Sequence, residues 1–212
     1  MENINETKQK LIDSAMRLFK RHGYANVTIE QICDAVGISK NTYYYHFESK
    51  DSLLLAYLNE KKDLTMQTLT DVLFTEKNNF EKFWILQKKG IDIMLDCGID
   101  IICHLRDMKT IHSALNARYQ QEDFFSLQEK IISAAQADGS VRNQADSRAL
   151  VAASALQFFG VLSVWIVMNG AFDCEKVMRS CFENILDVRP DLRCGGDLYE
   201  YFLNVKEKHH AR

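Results

Sequence analysis

The sequence predicts an all-α protein in two parts: a small three-helix head over residues 1–49 and a larger helical bundle over 50–212. Three observations carry that prediction. One proline, Pro190, and nine glycines are few breakers for 212 residues. No run of alternating apolar and polar residues is long enough to argue for a sheet. Apolar residues instead recur at helical spacing along most of the chain.

Taken in order, the first helix runs from about Asn5 to His22. Leu11, Ile12, Ala15, Met16, Leu18 and Phe19 form its inward face, and Gly23 ends it. Thr28 then reads as an N-cap, with Gln31 three residues on completing a capping box. Ile29, Ile32, Cys33 and Val36 make one apolar stripe, and Gly37 suits the left-handed residue that ends a helix. Ser39 is the next N-cap, opening Lys40 to Phe47. Two short helices joined by a turn of about three to four residues are a helix-turn-helix. Ser49 caps a long helix from Lys50 to about Thr75. Asn78 or Asn79 opens another, to about Cys97, broken by Gly98. Ile99–Asp107 and Lys109 to about Tyr119 are shorter helical pieces, and Glu122–Ala137 is a further helix. Asp146 caps a long helix to Asn169-Gly170, and Asp173 caps one to Val188. Gly195-Gly196 reads as a hinge before a last amphipathic helix from Asp197 to about His209.

The second helix of the helix-turn-helix has the composition of a groove reader. Asn can bond adenine bidentately, Lys can bond guanine, and Thr can touch a thymine methyl. Lys40, Asn41 and Thr42 are therefore the candidate base readers. Hydroxyls, imidazole and helix-start N–H groups suit phosphates, so Thr28, Ser39, Tyr44, Tyr45 and His46 are candidate phosphate contacts. The competing reading of the same residues is a helical hairpin with a polar cap and an aromatic core patch.

The run G-I-S-K-N-T-Y-Y-Y-H-F-E-S-K-D-S-L, Gly37 to Leu53, and its approach, Ala15 to Ile32, resemble the TetR family of bacterial transcriptional regulators. The likeness covers about residues 7–55. It implies an N-terminal DNA-binding head, a C-terminal bundle that binds a small effector, and a homodimer formed by the last two long helices, here near 146–169 and 173–188. It also places Lys50 against a phosphate, where the lysine alone would read as a surface residue. Tyr43 departs from the family, which has Leu, Ile or Phe there. It is expected in the core with its hydroxyl reaching water, the alternative being an added contact.

Net charge is −3, and residues 1–50 carry only one more basic than acidic group, so DNA binding must rest on where charges sit. Six cysteines show no CxxC pair and no zinc spacing. With a polar Met1–Lys10, they point to a reduced, cytoplasmic protein. Ala149–Phe172 holds no charged residue and meets the length of a membrane span, but Ser154, Gln157, Ser163 and Asn169 favour a buried helix, and no membrane partner is expected.

No nucleophile, zinc or phosphate-loop motif is present, so no enzyme activity, catalytic residue, metal or cofactor is expected. Cys97 with Cys103, and His104 with His112, are the residual redox or metal candidates, more simply core thiols and pocket-wall histidines. The aromatic-rich middle suggests a cavity for an unknown small effector, with Phe83, Trp84, Phe158 and Trp165 as candidate lining. The function expected is an effector-released repressor on a palindromic operator. The rivals are a helical carrier or enzyme with the helix-turn-helix as scaffold, and an interaction module that recruits a protein.

Overall fold

Capping and stripe residues nucleate the N-terminal helices where the sequence places them. The computed structural model describes residues 4–107 and 122–201. Its helices are α1 (Ile4–His22), α2 (Ile29–Val36), α3 (Lys40–His46), α4 (Lys50–Leu73), α5 (Asn79–Cys97), α6 (Ile99–Asp107), α7 (Glu122–Ala137), α8 (Ser147–Val167) and α9 (Cys174–Ile185), followed by a 3-10 turn at Pro190–Leu192. Among the described residues there is no strand, only an isolated bridge between Val141 and Val188. The fold is all-α, as the breaker-poor sequence requires. The helical piece expected over 109–119, and the last helix beyond residue 201, lie outside the described residues.

The chain divides into two compact units. The first holds residues up to Thr70 together with Ile93–Asp107, so it reaches past 1–49 and is not contiguous. Its core is built from Leu11, Ile12 and Phe19 of α1, Ile32 of α2, Tyr43 of α3 and Leu53 of α4. Polar contacts hold the α5–α6 corner within this unit. Asp96 accepts from Lys20 Nζ at 2.6 Å and from the Tyr57 hydroxyl at 2.8 Å. His104 of α6 stacks on Tyr24 with ring centroids 4.0 Å apart.

The second unit holds Asp71–Asp92 and the chain after Asp107. Helices α7, α8 and α9 pack in sequence, as short connections favour. Buried charge is concentrated at one cluster. Arg179 Nε donates to Glu183 at 2.8 Å and its guanidinium pairs with Glu81. Glu183 also accepts from the backbone N–H groups of Cys194 and Gly195, so both buried charges of this cluster, Arg179 and Glu183, have partners. This is why Gly195 is a packing residue and not a hinge: a Cβ there would collide with the Ser180 backbone of α9.

Helix α8 is long and apolar enough to cross a membrane by length and composition. One face, including Leu150, Val151, Phe158 and Leu162, is buried in the unit. The other leaves Leu156 72% and Val167 79% exposed. Helix α9 differs, with eight of its twelve residues buried.

Candidate nucleic-acid interface and effector recess

The helix-turn-helix is built by side chains that close backbone groups. Thr28 Oγ1 accepts from Gln31 N at 3.2 Å while Gln31 Oε1 accepts from Thr28 N at 2.8 Å, a complete capping box. Gly37 stands at φ +77°, where an L side chain is strained, and its N–H returns to Cys33 O at 2.8 Å. Ser39 caps α3 through Thr42 N at 3.2 Å, and its hydroxyl lies 2.9 Å from that of Thr42.

Two residues fix this unit to α4. Tyr43 is fully buried and its hydroxyl donates to Ser49 O at 3.0 Å, the carbonyl just ahead of α4. The added oxygen relative to an aliphatic residue therefore ties the second short helix to the long one and does not reach water. Burial pushes its ionisation well above the ordinary tyrosine range. Lys50 Nζ donates to Tyr24 O at 2.9 Å and Val27 O at 2.6 Å, and sits 4.5 Å from the Tyr24 ring centre. Two of the three ammonium protons thus hold the connection between α1 and α2. Asp51 completes the junction by accepting from Tyr24 Oη and pairing with His104 Nε2 at 2.8 Å.

What this frame presents is the first turn of α3 and the tyrosines that follow. Asn41 is exposed and its side chain makes no hydrogen bond among the described residues. Lys40 pairs with Glu30 of α2 at 3.2 Å, with both side chains more than half exposed. Such a surface pair is worth at most about 1 kcal/mol, so Lys40 can exchange it for a base or phosphate. Tyr44 and Tyr45 are exposed, and His46 stands edge-on to Tyr45 at 5.1 Å. Lys40, Asn41, Thr42, Tyr44, Tyr45 and His46 thus share one short helix, while Thr28, Ser39 and Lys50 also serve as caps or braces.

In the second unit a recess opens between α5, α7 and α8. Phe124, Phe125, Phe158 and Phe159 form most of its wall, with Ala155, and two glutamines, Gln87 and Gln128, complete it. Its volume is about 20 Å³, room for little more than one water. Of the four aromatic residues expected to line a cavity, Phe158 does so. Phe83 and Trp84 are buried against Phe182, with ring centres 5.7 and 6.3 Å away. Trp165 donates from its indole N–H to Phe172 O at 3.1 Å. Sequence reasoning missed Gln87 and Gln128. The available signal was a glutamine interrupting an apolar stripe, between Phe83 and Ile91 in one helix and between Phe124 and Ile132 in the other.

The thiol and imidazole candidates go elsewhere. Burial pushes the Cys97 thiol up to about 12, and Cys103 is half-buried. His104 is held by Asp51, and His112 lies outside the described residues.

Comparison with known proteins adds to this geometry. The family model described as bacterial regulatory proteins, tetR family, matches residues 11–57. The uncharacterized HTH-type transcriptional regulator YerO of Bacillus subtilis is 36% identical over 69 residues, 32% of this chain and 24% of that protein. The match therefore spans about a quarter of that relative's length. The probable acrEF/envCD operon repressor of Escherichia coli K12 is 23% identical over 195 residues, 85% of this chain and 86% of the repressor. Among solved structures, a TetR transcription regulator from Haloarcula marismortui superposes with TM-score 0.66 at 18% identity, covering 86% of this chain and 97% of that one. Thermus thermophilus FadR, a TetR-family repressor in complex with lauroyl-CoA, gives 0.62 at 17% identity, covering 89% and 100%. At these identities the structural likeness shows the fold.

Proposed function

We propose that the chain, whose residues 11–57 match the family model of bacterial regulatory proteins, tetR family, is a sequence-specific, effector-responsive repressor of transcription that works in the cytoplasm as a homodimer. The observation that carries the reading is the exposed first turn of α3, with Asn41 unpartnered, on a head whose caps and braces are all satisfied internally. A group that reads a base must be free, as Asn41 is, or held by a surface contact it can exchange, as Lys40 is; the groups that position it must be fixed.

In this reading Lys40, Asn41 and Thr42 meet base edges in the major groove. Thr28, Ser39, Tyr44, Tyr45 and His46 meet phosphates, and Lys50 offers its third N–H to one while holding the α1–α2 connection. Two heads, one per subunit, read half-sites about 34–36 Å apart or a multiple of it. The exposed Leu156, Val164 and Val167 on α8 support a dimer through 146–169 and 173–188, because such a face is covered in a soluble protein. A small effector bound in the second unit favours heads that no longer match the half-site spacing, a coupling of about 1–3 kcal/mol. FadR in complex with lauroyl-CoA and the operon repressor of E. coli support the effector and repressor parts of the reading.

The test is selection of binding sites from random duplex DNA at two salt concentrations. An enriched inverted repeat, bound more weakly at high salt, is the expected result. No enrichment by folded dimer would move the reading to a carrier whose helix-turn-helix is scaffold.

A further inference from the structure

We infer that Glu30, in the first turn of α2, is a base-reading residue: its carboxylate accepts the amino group of a cytosine whose paired guanine is taken by Lys40. The inference rests on the DNA-binding reading above and adds to the reading turn of α3 a residue from the other helix of the motif.

Glu30 is the second residue of α2, inside the turn that the Thr28–Gln31 capping box fixes. Lys40 is the first residue of α3, inside the turn that Ser39 caps. Their side chains meet at 3.2 Å, Lys40 Nζ to Glu30 Oε1, and both are more than half exposed. The two helix starts therefore present a donor and an acceptor side by side on one open surface. Glu30 Oε2 has no hydrogen bond or ion pair among the described residues. A carboxylate offers about four lone-pair sites and an ammonium three protons, so each group keeps capacity for a second partner.

The spacing selects the base pair. In the major groove guanine shows the O6 and N7 acceptors, and cytosine shows the N4 amino donor. O6 and N4 share a base-pairing hydrogen bond and so stand about 2.9 Å apart, close to the separation of the lysine and glutamate groups. Lys40 can donate to O6 while Glu30 accepts from N4, and on this base pair Lys40 keeps the contact it would otherwise exchange. In the reversed pair, C·G, the ammonium faces an amino group and the carboxylate faces O6, so donor meets donor and acceptor meets acceptor. T·A shows O4 and N6 in the favourable order but offers the lysine no N7, so it ranks second.

An acidic group on this surface has a cost that only such a contact offsets. Residues 1–50 carry one more basic than acidic group. Lys20 is paired with Asp96, and Lys50 is committed to two carbonyls. Glu30 in turn holds the one lysine of α3. On arbitrary DNA that forfeits one phosphate contact, about fivefold in affinity near 0.15 M salt. A well-matched base contact is worth about fivefold to a hundredfold, so the loss is recovered only where a G·C pair meets both groups.

The experiment selects sites from random duplex DNA with the full wild-type chain, Glu30→Ala, Glu30→Gln and Lys40→Met. It then measures affinity for the selected operator and for an unrelated duplex. All three substitutions fall on exposed side chains and leave the helix caps in place. Glu30→Ala and Lys40→Met should lose preference at the same base pair of each half-site. Glu30→Gln, whose amide reads adenine, should move that pair from G·C towards T·A. Glu30→Ala should bind the unrelated duplex about fivefold more tightly, with a salt slope steeper by about one. It should gain nothing on the operator, so the ratio between the two falls about fivefold. A Glu30 that served only the positive end of α2 would shift the thermal midpoint and leave every base preference as it was. Unchanged preference in Glu30→Ala, loss at different base pairs in the two variants, or an equal gain on operator and unrelated duplex would overturn the inference. Any of these beside an enriched repeat from the wild type sinks the role of Glu30 alone. No repeat from the wild type sinks the DNA-binding reading and this inference with it.

Discussion

The two units spend their polar groups differently. In the first, side chains close backbone groups at helix ends: Thr28, Ser39, Tyr43 and Lys50 each satisfy a carbonyl or N–H of a neighbouring element. In the second, buried polar groups meet one another, as Arg179 with Glu183 and Gln87 with Gln128, and Arg179 also pairs with the half-buried Glu81. The first pattern sets the position of one exposed helix. The second holds a bundle together around a small space. The difference teaches that a reading head is stiffened at its joints so that its reading turn stays exposed, with Asn41 unpartnered and Lys40 held only by a surface ion pair.

The sharpest way to break the comparison is in the bundle. Arg179→Ala strands the buried Glu183 carboxylate and unpairs the half-buried Glu81, and should cost about 3–5 kcal/mol in urea denaturation. Operator affinity of the protein that remains folded should be unchanged. Next is Asn41→Ala, which should leave the urea midpoint in place and weaken operator binding by about 1–3 kcal/mol, with relaxed preference at one base position per half-site. Tyr43→Phe lies between these behaviours. It leaves Ser49 O without its donor, so both stability and operator affinity should fall, by about 1 kcal/mol in denaturation, while base preference stays the same. Lys50→Met should follow Tyr43→Phe in stability, since it frees two carbonyls, and should lower affinity for all sequences alike.

Acid gives the smallest effect. Burial works to raise the Asp51 carboxyl, but hydrogen bonds from Tyr24 and His104 hold it below its ordinary value. Lys20 and Tyr57 do the same for Asp96. Carboxyls depressed in the folded state contribute stability at neutral pH and lose it as the pH falls through about 4 and below. The thermal midpoint should therefore decline over that window. Asp51→Asn should lower the midpoint at pH 7 and flatten its acid dependence.

How much of this could be read from the sequence follows from the same contrast. The helix-turn-helix was legible because its signals are local. Thr28 and Gln31, Gly37, and Ser39 with Thr42 act within three or four residues of one another. Partners distant in sequence were not legible. Nothing near Lys50 says that Tyr24 O and Val27 O receive its ammonium, and nothing near Tyr43 says that its hydroxyl stops at Ser49 O. Periodicity marked Phe83, Trp84 and Phe158 alike as apolar. Only the packing of α9 decides that the first two meet Phe182 while Phe158 faces a recess. Gln87 stood out, if at all, as a polar residue on an apolar stripe. The joining of α6 to the head through His104 and Asp51 spans 53 residues and left no local mark.

The central claim, that the exposed first turn of α3 reads DNA sequence from a braced head, is tested most directly by selecting operator sites with the wild-type chain and with Asn41→Ala side by side. The account predicts one inverted repeat from both, with a single position in each half-site losing its preference in the variant. Identical preferences at every position, or no repeat from the wild type, would contradict it.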